Sequence, residues 1–138
     1  MEQLITIEQL KELSPEQKEC LRNWWYASNP GRLDLYVVLY KYDDGLKYEG
    51  PFMNTGERNF IEDFNTGEAL PLMSIGQMMQ LIADHATSTG AVWEIKHDWY
   101  KHIVTLRSVR SQDVILEASD TELHNALWVA VKQILQDK

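Results

Sequence analysis

The chain has 138 residues, of which 44% are hydrophobic and 25% charged, with a net charge of −8. These values exclude a largely disordered chain and predict a single domain over 1–138 with a real core. The negative balance argues against nonspecific binding to nucleic acid phosphates or anionic membranes.

The first 28 residues predict two short helices in tandem. Thr6-Ile7-Glu8-Gln9 has capping-box spacing, with Leu10 and Leu13 behind it. Ser14-Pro15-Glu16-Gln17 repeats the device with proline at the first helical position, where its missing N–H costs nothing. The second helix carries Cys20, Leu21, Trp24 and Trp25, and Asn29-Pro30-Gly31 ends it. The opening lacks the basic start and apolar run of a signal peptide, and no apolar stretch nears the roughly 18 residues of a spanning helix. Cys20 is the single cysteine, so no internal disulfide forms. A soluble, cytoplasmic protein is expected.

Leu33 to Tyr42 is strongly β-prone, and Asp43-Asp44-Gly45 suits a hairpin turn that returns through Leu46-Lys47-Tyr48. Residues 50–71 carry no regular pattern. Asn-Thr-Gly-Glu occurs at 54–57 and again at 65–68, which reads as two similar turns. Residues 1–70 hold 13 acidic and 7 basic side chains, against 8 and 6 in residues 71–138. Asp43, Asp44, Glu49, Glu57, Glu62, Asp63 and Glu68 concentrate that acidity.

Residues 71–138 predict a helix–three strands–helix unit. A helix from Ser74, with Gln77 completing a capping box, offers Ile75, Met78, Met79, Ile82 and Ala86 to a core. Ala91–His97 and Tyr100–Leu106 alternate as strands. A turn at Asp98-Trp99 pairs 97 with 100, 95 with 102 and 93 with 104, although that dipeptide is not a preferred turn pair. Val114, Leu116 and Ala118 extend the same face. The last helix, capped by Ser119 and Glu122, supplies Leu123, Leu127, Ala130, Val131 and Ile134. The expected fold is α+β: a three-stranded antiparallel meander flanked by two helices, preceded by an N-terminal helical pair and a β-hairpin.

No Gly-rich phosphate loop, paired cysteines, His-Glu-x-x-His or Gly-x-Ser-x-Gly occurs. His97, Asp98 and His102 form the tightest titratable cluster, but no third strong ligand lies near, so no metal, cofactor or catalytic residue is assigned. Trp24 and Trp25 are adjacent on a helix and point about 100° apart, so both are buried only if the helix packs on two sides. Trp99 falls in a predicted turn. Exposed aromatics are favoured interface contacts.

Leu70-Pro71-Leu72-Met73-Ser74-Ile75-Gly76-Gln77-Met78-Met79-Gln80-Leu81-Ile82 and the segment Thr121–Leu135 resemble small phage and prophage proteins of Firmicutes. So does the opening Thr6–Gln17 followed by Trp24-Trp25. The strands between are similar to phage sandwich-type α/β small domains. The resemblance implies an accessory protein of a mobile element and carries over no catalytic residues. The leading expectation is a non-catalytic protein-binding module, using Trp24, Trp25, Trp99 and the acidic residues 43–68 as contacts. One form of it is an acidic inhibitor that presents carboxylates where phosphates would sit. The alternatives are a self-associating assembly component, joined near Trp24–Trp25, and a small enzyme built on the His97/Asp98/His102 corner.

Overall fold

Capping boxes open three of the four helices among the described residues. A computed structural model describes residues 4–27, 34–54 and 69–136. In α1 (Ile7–Lys11) the Thr6 hydroxyl accepts the Gln9 N–H at 3.1 Å while the Gln9 side chain accepts the Thr6 N–H at 2.9 Å. Ser14 and Gln17 make the same exchange at the start of α2 (Pro15–Ala27), as do Ser74 and Gln77 at α3 (Ile75–Thr89). Each box satisfies two backbone donors that a helix N-terminus leaves open. The expected stop at Asn29-Pro30-Gly31 and most of the Asn-Thr-Gly-Glu echo lie outside the described residues.

The chain divides into two compact units: residues 6–72, and residues 1–5 with 73–138. In the first, β1 (Leu35–Tyr42) and β2 (Gly45–Met53) form the expected hairpin, with Tyr42 opposite Gly45 around Asp43-Asp44. Tyr36 pairs with Phe52 but Val38 pairs with Glu49, so β2 carries a bulge at Gly50-Pro51. A third strand, β3 (Ala69–Pro71), lies antiparallel on the other side of β1, in a stretch the sequence marks only as irregular. Three residues ending in proline carry no legible alternation. They become a strand because the free edge of β1 supplies hydrogen-bond partners, and proline is tolerated there because β3 is itself an edge. Trp25, Tyr36, Val38 and Ala69 form a core beneath this sheet, with Trp24 and Tyr40 partly buried against it.

The second unit is the helix–three strands–helix arrangement. α3 leads through Gly90, which takes the left-handed conformation (φ 69°) suited to a C-terminal glycine, into β4 (Ala91–Asp98). β5 (Lys101–Ser108), β6 (Val114–Asp120) and α4 (Leu123–Gln136) follow. The sheet order is β4-β5-β6, all antiparallel, and it is separate from the β2-β1-β3 sheet. The chain is therefore α+β: the meander lies between two helices and follows a helical pair and a hairpin. Met78, Leu81, Ile82 and Ala86 of α3 and Leu127, Ala130, Val131 and Ile134 of α4 are buried, as are Val104, Leu106, Leu116 and Ala118 of the sheet. Burial of each large aliphatic chain contributes about 1.5–3 kcal/mol relative to exposure. The opening residues close this unit: Leu4 bridges Ser74, and the Ile5 N–H bonds the Met73 carbonyl at 2.9 Å.

Three details depart from the sequence reading. The β4–β5 turn is Trp99-Tyr100, not Asp98-Trp99, so 98 faces 101, 97 faces 102 and 95 faces 104. Each partner moves by two residues, which keeps the same side chains on the covered face. Leu106 pairs with Leu116 but Arg107 pairs with Val114, so the intervening Ile115 is a bulge that places Val114 beside Arg107 on the open face. Ser119 belongs to β6 and does not cap α4. Asp120 holds that entry instead, its Oδ1 accepting the Glu122 N–H at 3.0 Å. No helix among the described residues is long and apolar enough to cross a membrane.

Candidate functional site

The end of the second unit where β4 turns into β5 gathers an exposed aromatic pair and a pair of histidines. Asp98 and Lys101 close a two-residue turn whose central residues are Trp99 and Tyr100. Trp99 has φ 57° and is 90% exposed; Tyr100 is 72% exposed. Positive φ at the first central residue but not the second is the pattern of a II′ turn, where glycine is the ordinary occupant. A bulky aromatic there bears a strain of about 1–3 kcal/mol. Its ring recovers little by burial, since it stands in water.

His97 and His102 face each other directly behind the turn, ring centroids 4.7 Å apart and tilted by 49°. Asp120 lies opposite His102 on β6, engaged with the entry to α4. A mainly apolar hollow of about 290 Å³, lined by Ile75, His102, Thr121, Glu122, Leu123 and His124, opens on the same side of the sheet. His124 is buried at 3% exposure, with Nδ1 3.4 Å from the Glu122 carboxylate. Among the described residues, no group of three or more His, Cys, Asp or Glu side chains is arranged to hold a metal ion.

The other sequence-predicted contacts are dispersed. Trp25 is 1% exposed and belongs to the core of the first unit, which removes it as a contact residue. Its indole packs at 6.0 Å from the Tyr36 ring and donates to Asp34, and Trp24 lies partly buried against the same cluster. A self-association patch at Trp24–Trp25 loses Trp25 by this packing. Asp43 and Asp44 stand exposed at the β1–β2 turn, and Glu49 is exposed on β2. Asp44 sits 3.8 Å from Lys47, both solvent-exposed. Glu57, Glu62, Asp63 and Glu68 lie outside the described residues.

Tyr100 is an exposed aromatic that sequence reasoning missed. Its place in an alternating run put it on the covered face, and only the turn position moves it into solvent. The poor fit of Asp98-Trp99 to any preferred turn pair was the available signal. The face of the β4-β5-β6 sheet turned away from the helices is also open. Glu94, Lys96, Arg107 and Glu117 line it around Thr105 and Ile103, and Val92 and Val114 are about half exposed at its end. No protein-family model, curated protein or solved structure matches the chain.

Proposed function

We propose that this chain is a non-catalytic protein-binding module that offers the Trp99-Tyr100 tip to a partner protein. The observation that carries this reading is Trp99 itself: a large apolar ring held in water on a backbone conformation that disfavours it. Strained, exposed residues of this kind persist where a contact depends on them. Tryptophan and tyrosine are also the side chains that most often anchor interfaces, since they bring large area with few rotatable bonds. The net charge of −8 supports a partner with a basic surface, drawn in by long-range attraction. The resemblance to phage accessory proteins supports a host or phage protein as that partner.

The test compares the tagged chain with its Trp99→Gly variant as bait in host lysate, at low and high salt. A stoichiometric protein retained by the parent and lost by Trp99→Gly is the expected result. A partner held equally by both overturns the tip as the contact. Equal capture by both baits that disappears at high salt transfers the contact to the acidic side chains, beginning with Asp43 and Asp44.

A further inference from the structure

β4 is an eight-residue edge strand with no proline and no bulge, and β5 occupies only one of its sides. The opposite edge, β6, is broken by the bulge at Ile115, a common way of making an edge unpairable. The two-residue turn fixes which backbone groups of β4 are free. Asp98 and Lys101 close it as a hydrogen-bonded pair, so alternation directs the backbone groups of residues 92, 94, 96 and 98 toward β5. The Val109 N–H bonded to the Gly90 carbonyl at 3.1 Å continues that alternation by one step. The N–H and C=O groups of Ala91, Trp93, Ile95 and His97 therefore point outward. No hydrogen bond from a described residue meets them.

We infer that β4 is the dimerisation strand of this protein: two copies join antiparallel along it, about a two-fold axis at Ile95, into one six-stranded sheet. Hydrogen bonding restricts the register, since outward groups must meet outward groups, so odd-numbered residues pair with odd-numbered ones. Charge then selects within that set. Centring on Ile95 places Glu94 opposite Lys96 of the second copy, and Lys96 opposite its Glu94, on the open face. Centring one residue earlier opposes Glu94 to itself; one residue later opposes Lys96 to itself and Glu94 to Asp98. Like charges directly opposite destabilise a strand pair, and opposite charges support it.

On the helix side the Ile95 register opposes the two Ile95 side chains and sets each Trp93 against His97 of the other copy. Ala91, Trp93 and Ile95 are only half-buried within one copy, and this seam covers them. About six backbone hydrogen bonds would form. Within one chain Glu94 and Lys96 already lie 3.6 Å apart on exposed side chains, so each exchanges a weak local partner for one across the seam. The two Trp99 tips would stand at opposite ends of the seam, roughly 27 Å apart at 3.4 Å per residue.

Sedimentation equilibrium on the full chain over a range of concentrations tests this, alongside the Glu94→Lys, Lys96→Glu and doubly exchanged variants. The parent is expected to reach twice its 16.1 kDa mass. Each single exchange should weaken the dimer by about tenfold or more, and the double exchange should restore it. Circular dichroism checks that the variants fold. Amide exchange adds a direct readout: the Trp93, Ile95 and His97 N–H groups should become protected as the parent associates. A parent that stays monomeric, a dimer indifferent to the single exchanges, or a double exchange that fails to restore it overturns the proposal. Trp99→Gly should leave the dimer intact, which separates this result from the fate of the Trp99 contact.

Discussion

The Trp25 indole N–H donates to the Asp34 carboxylate at 3.1 Å, linking the end of α2 to the residue just before β1. The ring itself is almost fully buried against Tyr36. Trp25→Ala removes both the bond and the largest side chain of that core, and should lower unfolding free energy by about 3–5 kcal/mol. Asp34→Ala takes away this acceptor but not the ring, and should cost less, about 1–3 kcal/mol. Urea titration of both variants checks the order. An equal loss for the two would show that the carboxylate, not the ring, organises the site.

Gly50 and Gly45 separate close approach from backbone strain. Both have positive φ, 126° and 130°. A Cβ at Gly50 would come within 3.1 Å of the Tyr36 carbonyl oxygen and the Phe52 amide nitrogen, both backbone atoms; at Gly45 it would meet open space. Gly45→Ala carries strain alone, about 1–3 kcal/mol. Gly50→Ala adds a clash at the bulge and should cost about 1–3 kcal/mol more. Thermal melts of the two variants give the comparison directly.

Trp99→Gly should not weaken the fold. It releases the positive-φ strain of about 1–3 kcal/mol, against the extra flexibility glycine gives the unfolded chain, about 0.5–1 kcal/mol. The melting temperature should stay level or rise while partner capture falls. A clear drop in stability would mean that Trp99 packs in the native state and is not held out for a contact.

The entry to α4 distinguishes two caps. Asp120→Ala should cost about 1–2 kcal/mol, because its carboxylate holds the Glu122 amide. Ser119→Ala should stay within about 0.5 kcal/mol, because Ser119 sits in β6 opposite Ile103. Denaturant midpoints of the two variants decide between this entry and a Ser119–Glu122 box.

The four described helices, the front hairpin and the three-stranded meander are local in origin, and the sequence by itself determined them. Ser74 with Gln77 and Thr6 with Gln9 sit at capping distance along the chain. Asp43-Asp44-Gly45 supplies its own turn, and the apolar spacing of Leu127, Val131 and Ile134 marks a helix face without outside help. The side-chain parity of β4 and β5 was equally legible, since a shift of the turn by one residue on both strands leaves the covered face unchanged. Tertiary structure decided what depends on distant partners. β3 is a strand only because β1 offers an edge. Val114 lies on the open face only because Ile115 bulges against β5. Trp25 is buried because Asp34 and Tyr36 receive it, where its helix alone left Trp24 and Trp25 equivalent. Trp99 stands in water because the ladder between β4 and β5 closes at Asp98 and Lys101. Spacing along a chain sets which residues share a face; only the packed neighbours determine whether that face is covered.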